Sequence, residues 1–97
     1  MPQSAAPRPT AIDRALMHII SDAMAARDVP AYRVAEAAGI SASHFSRLLA
    51  GEKGVRLAEL VGICEALGLH LPTLLASAEA RVREGAERDP KGRGDRV

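Results

Sequence analysis

The sequence predicts an all-α fold of five helices between two termini that carry no folding signal. Three observations predict it. Hydrophobic residues make up 47% of the chain and aromatic residues only 2%, so a core must be assembled from Leu, Ile, Val and Ala, and an Ala-rich chain with few β-branched runs disfavours a sheet. Apolar residues recur at helical spacing in five successive segments. Pro30, Gly39, Gly51 and Gly68 punctuate those segments. At 97 residues the chain has room for one small domain, near the lower size at which an unstapled core suffices.

The elements follow in order. Residues 1–9, MPQSAAPRP, hold three prolines and no periodicity and read as an arm. Thr10, with Asp13 three residues on, resembles a capping box and opens a first helix over Ala11–Arg27. Ile12, Leu16, Ile19, Ile20 and Ala23 form its apolar stripe. Asp28-Val29-Pro30 ends it, because a residue before proline is pushed out of the helical region. A short second helix, Ala31–Ala38, places Val34, Ala35 and Ala38 on one face. Gly39 then stands where the chain must turn, since without Cβ it takes the left-handed conformation at little steric cost. Ser41 is a good N-cap for a third helix starting at Ala42. Its Phe45, Leu48 and Leu49 turn inward, and Ala42, Ser43, His44, Ser46 and Arg47 remain outside.

A fourth helix opens at Leu57. Leu57, Leu60, Val61, Ile63, Cys64 and Leu67 make it apolar over a wide arc, which predicts the most buried element. A fifth begins near Leu71 and runs to residue 84, since Leu71, Leu74, Leu75, Ala78 and Val82 keep helical spacing. Residues 10–84 therefore form the domain. Residues 85–97 are charged, glycine-broken and short of apolar anchors, and read as a disordered tail.

The stretch AYRVAEAAGISASHFSRLLAG, residues 31–51, resembles the Cro/repressor-type (XRE) helix-turn-helix family. The polar-Gly segment Ala50–Gly54 and the pattern LAELVGICEALGL, Leu57–Leu69, extend the likeness over residues 11–78. The resemblance implies a lambda-repressor-like domain that lays its third helix in the major groove of double-stranded DNA. Carried over by position, it implies base contacts from Ala42, Ser43, His44 and Arg47. The Arg47 guanidinium can donate two bonds to guanine O6 and N7, and Ala42 can meet a thymine methyl; the competing reading for Arg47 is a surface ion pair. The phosphate candidates are Ala31, Tyr32, Arg33, Ser46, Lys53 and Arg56, with Ala31 acting through the free N–H groups of a helix start. Tyr32 either donates its hydroxyl or lies over the core edge. Two features depart from the family pattern: Ala31 stands where many members carry glutamine, and the third helix lacks a run of Gln and Asn. Both bear on which DNA sequence is read.

Charge agrees less readily. The formal balance is +1, from 13 basic and 12 acidic residues, and residues 11–78 hold six basic against seven acidic. DNA affinity rests on neutralising phosphates, so binding here must depend on where the charges lie. Four of those six basic residues fall between Arg33 and Arg56.

These readings predict a repressor-type transcriptional regulator working as a homodimer on a palindromic operator, with half-sites roughly 34 Å apart. The predicted dimer surface is the fifth helix through Leu71, Leu75, Ala78 and Val82, unless Leu71, Leu74 and Leu75 only close the core. Two alternatives stay open: an antitoxin that binds a toxin partner through residues 79–97, and a protein-interaction adaptor without DNA binding. No enzyme, cofactor or metal is expected. His18, His44 and His70 fall on separate segments, and Cys64 lies on an apolar face as an inert core thiol. One cysteine, no leader and no apolar run of about 20 residues fit a cytoplasmic protein.

Overall fold

A computed structural model of the chain describes residues 8–88. It consists of helices α1 (Ala11–Arg27), α2 (Ala31–Ala38), α3 (Ala42–Leu49), α4 (Leu57–Leu67) and α5 (Leu71–Arg88), with no strand among the described residues. Residues 1–7 of the arm and 89–97 of the tail lie outside the described part.

Local chemistry sets the helix ends. At the start of α1 the Thr10 hydroxyl accepts the Asp13 N–H, and the Asp13 carboxylate accepts the Thr10 N–H at 2.9 Å. The exits of α1, α2 and α4 share one motif. Asp28, Gly39 and Gly68 take left-handed backbones, with φ of 56°, 74° and 70°. The next residue in each case donates its N–H five residues back: Val29 to Met24, Ile40 to Ala35, Leu69 to Cys64. Those three residues are apolar and pack against the core, the hydrophobic contact that commonly accompanies this helix stop. Asp28 needs no glycine because a short polar side chain tolerates the left-handed region.

The core takes Leu16, Met17 and Ile20 from α1, Val34 and Ala35 from α2, Phe45 and Leu48 from α3, Leu60, Ile63, Cys64 and Leu67 from α4, and Leu74 and Ala78 from α5. α5 packs chiefly on α1, and α2 on α4. Where α2 and α4 cross, Gly62 lies so close to Ala38 that an added Cβ would stand 3.1 Å from the Ala38 carbonyl oxygen. That approach brings α4 in against α2.

Three expectations need correction. Leu57 is 68% exposed and Val61 37% exposed, so α4 buries one side rather than its whole apolar arc. The two are four residues apart, on the flank that α2 and α5 leave uncovered. Ala78 is completely buried and belongs to the core, so it cannot serve a dimer surface; Leu71, Leu75 and Val82 are half-buried. The last helix also continues past residue 84 to Arg88. A single exposed glycine at 85 weakens a helix by about 1 kcal/mol without stopping it, and Ala86, Glu87 and Arg88 are good helix formers. Among the described residues no single helix is long and apolar enough to cross a membrane.

Candidate nucleic-acid interface

α3 is oriented by what it buries and by how it starts. The Ser41 hydroxyl accepts the His44 N–H at 3.1 Å, satisfying one of the free donors of the first turn. Phe45 and Leu48 are buried, and Leu49 packs at the core margin. With that side turned in, helical geometry leaves Ala42, Ser43, Ser46 and Arg47 exposed at positions i, i+1, i+4 and i+5 of one face. Among the described residues no carboxylate pairs with Arg47. The competing reading of a surface ion pair is therefore not the one the structure shows.

His44 does not join that face. Its Nε2 lies 2.8 Å from Glu59 Oε2, with the two side chains only 25% and 19% exposed. The ring is turned toward the start of α4, because the Glu59 carboxylate offers it a shielded partner that the open face does not. Of the four base-contact candidates, Ala42, Ser43 and Arg47 remain on the exposed face, and His44 lies turned beneath them. Sequence reasoning missed Glu59. Its available signal was a carboxylate three residues after Arg56: Glu59 Oε1 accepts the Arg56 N–H at 2.9 Å and closes the first turn of α4 from one side.

The loop between α3 and α4 has its own anchor. Asp13 Oδ1 accepts the Val55 N–H at 2.9 Å across 42 residues of sequence, while Oδ2 takes both the Thr10 N–H and its hydroxyl. One carboxylate therefore starts α1 and ties down the segment that carries Lys53 and Arg56. Of those two, Arg56 is exposed and Lys53 half-buried. Gly54 is buried, and Gly51 takes a left-handed backbone with φ of 78°.

The N-cap of α2 is Pro30, which offers no side-chain acceptor to the first turn. The N–H groups of half-buried Ala31 and of Tyr32 are consequently left for an outside acceptor. Tyr32 is 62% exposed, away from the core edge, and Arg33 is exposed beside it. The other two histidines stand elsewhere. His70 pairs with Thr73 at the start of α5, and His18 accepts from Arg81 at 3.2 Å near Asp22, joining α1 to α5. The Cys64 thiol is buried in the core, and burial pushes its pKa up.

Two short helices joined by a tight turn, the second showing a small, polar, uncompensated face, are thus in place. A model of the Cro/C1-type HTH DNA-binding domain matches residues 20–77. The chain belongs to the Cro/C1-type helix-turn-helix family. Family membership makes it a DNA-binding protein whose helix-turn-helix is α2 and α3. Two crystal structures of the clp gene regulator ClgR from Corynebacterium glutamicum are similar to it, each at 28% sequence identity. One has a TM-score of 0.74 over 90% of this chain and 92% of that one. The other has a TM-score of 0.66 over 72% and 91%. No curated protein sequence matches the chain.

Proposed function

We propose that this protein is a transcriptional regulator of repressor type, which reads a short palindromic operator as a homodimer. The observation that carries the proposal is the exposed face of α3, where Arg47 has no carboxylate partner among the described residues and stands beside Ala42 and Ser43. Arg47 reads guanine, Ala42 and Ser43 read the neighbouring step, and Ser46 contacts the backbone. Arg33, Lys53, Arg56 and the first N–H groups of α2 at Ala31 and Tyr32 hold phosphates on either side. The similarity to ClgR, described as a gene regulator, supports the regulatory role.

Dimerisation follows from reach. One α3 spans only a few base pairs, and useful specificity calls for two copies with half-sites roughly 34 Å apart. The half-buried Leu71, Leu75 and Val82 on α5 are the proposed contact, without Ala78.

The test is enrichment of the pure protein from a randomised duplex library, repeated with Arg47→Ala. A palindromic motif is expected, and the variant should relax it at one position in each half-site, with a loss of about 1–3 kcal/mol per contact. Arg33, Lys53 and Arg56 from two copies predict a log–log salt slope of about −5. Enrichment of nothing at low salt refutes the proposal and leaves the adaptor reading.

A further inference from the structure

The His44–Glu59 bond lies outside the reading face, yet it joins the first turn of the reading helix to the first turn of α4. We propose that Glu59 is a positioning residue for DNA reading: by gripping His44 it sets the pose of α3 and thereby the base preference of Ala42, Ser43 and Arg47. The inference rests on the DNA-reading role proposed above for that face.

The geometry assigns each oxygen of Glu59 a task. Oε1 accepts the Arg56 N–H at 2.9 Å, so the carboxylate is fixed relative to the axis of α4. Oε2 meets His44 Nε2 at 2.8 Å. A carboxylate only accepts, so the bond requires a proton on Nε2. Both side chains are largely shielded, and a bond to a charged acceptor is stronger there than in open water. α4 is a firm reference: Leu60, Ile63, Cys64 and Leu67 are buried, and Gly62 is pressed against α2.

α3 needs such a reference. It is eight residues long, and it packs chiefly on α2 and α1, so packing does little to tie it to α4. Phe45 and Leu48, with Leu49 at the core margin, set its rotation about its own axis, but three inward side chains within five residues leave its tilt weakly determined. His44 lies directly between Ser43 and Phe45 in the first turn, where a change of tilt moves Ala42 and Ser43 most. The same residue donates its backbone N–H to the Ser41 cap. One residue thus fastens the start of α3 by its backbone to the turn and by its ring to α4.

Glutamine and alanine at position 59 separate positioning from bulk stability. In Glu59→Gln the side-chain oxygen still takes the Arg56 N–H, and the amide N–H₂ donates to His44 Nε2. The ring proton must then move to Nδ1, but the grip persists. In Glu59→Ala the grip is gone. Thr10→Ala, which removes the cap of α1 but leaves both the Asp13–Val55 bond and the His44–Glu59 bond in place, serves as a control for lost stability. The full chain of each variant is studied well below its unfolding midpoint. Three readouts are taken: ¹⁵N shifts of the His44 ring, amide residual dipolar couplings that orient α3 against α4, and binding to the duplex motif enriched by the wild type.

The expected results are an Nε2–H ring in the wild type, an Nδ1–H ring with unchanged pose and motif in Glu59→Gln, and a reoriented α3 in Glu59→Ala. The last variant should lose about tenfold in affinity, equivalent to one base-discriminating contact, and relax the motif at the positions next to Ala42 and Ser43. Thr10→Ala should keep both pose and motif. An unchanged α3 orientation in Glu59→Ala, or a reoriented α3 with an unaltered motif, overturns the proposal. If the wild type enriches no motif, the operator reading falls by itself, and the dipolar couplings decide the grip alone: reorientation upholds it, and its absence overturns it.

Discussion

Two glycines inside helices should respond to the same substitution with opposite signs. Glycine to alanine in a helix interior gains roughly 0.5–1 kcal/mol, because glycine loses more backbone freedom on folding. At Gly85 nothing lies within 4 Å of the added Cβ. Only the propensity gain operates there, reduced by the nearness of the helix end at Arg88 to about 0.5 kcal/mol. At Gly62 the added Cβ would stand 3.1 Å from the Ala38 oxygen, 3.2 Å from its Cβ and 3.3 Å from its Cα. Those atoms belong to the backbone and Cβ of α2 and cannot swing away as a flexible side chain would. Crowding of that kind costs roughly 1–3 kcal/mol, which exceeds the propensity gain and leaves Gly62→Ala destabilised by about 1 kcal/mol. For a domain this small, that lowers the melting temperature by about 4–8 °C, whereas Gly85→Ala should raise it by about 2–4 °C. Thermal unfolding followed by far-UV circular dichroism measures both. A Gly62→Ala protein as stable as the Gly85→Ala variant would refute the close helix crossing on which the placement of α4 rests.

Two more outcomes follow from the buried and half-buried polar groups. Asp13→Ala removes the acceptor of Val55 as well as half the cap of α1, so it should cost about 2–3 kcal/mol against about 1 kcal/mol for Thr10→Ala; hydrogen exchange at the Val55 amide should accelerate only in the former. Cys64 should resist a thiol-specific disulfide reagent in the folded protein and react on denaturation, because burial raises its pKa and holds it as the neutral thiol. The folded thiol keeps its proton to higher pH than the unfolded one. The stability linked to Cys64 is therefore complete below the ordinary thiol range and is lost as pH rises through the raised value, an alkaline decline that Cys64→Ala should remove.

Helix ends were legible from residues alone because their causes are local. A capping box spans four residues and a left-handed stop spans six, so Thr10 with Asp13, Ser41, Gly39 and Gly68 were legible in their roles without any packing. The exit of α1 was legible through Pro30, although the residue that turns left-handed is Asp28, whose short polar side chain gives no unique signal. The inward sides of α2 and α3 were legible because each is short and strongly two-sided. α4 was not, since apolar residues cover most of its circumference and periodicity cannot choose among them.

The sequence by itself determined the five helices, their limits to within a few residues, and an outward face on α3 carrying Ala42, Ser43, Ser46 and Arg47. Tertiary structure alone decided the rest. It turned His44 from that face to Glu59, 15 residues away, tied Val55 to Asp13 across 42 residues, buried Ala78 and left Leu57 outside. The physical reason is the range of the forces involved. Backbone propensity and capping act within a turn or two and are written in neighbouring residues. The partner of a half-buried ring, or the side of an apolar helix that meets the core, depends on which distant surface the tertiary fold brings against it.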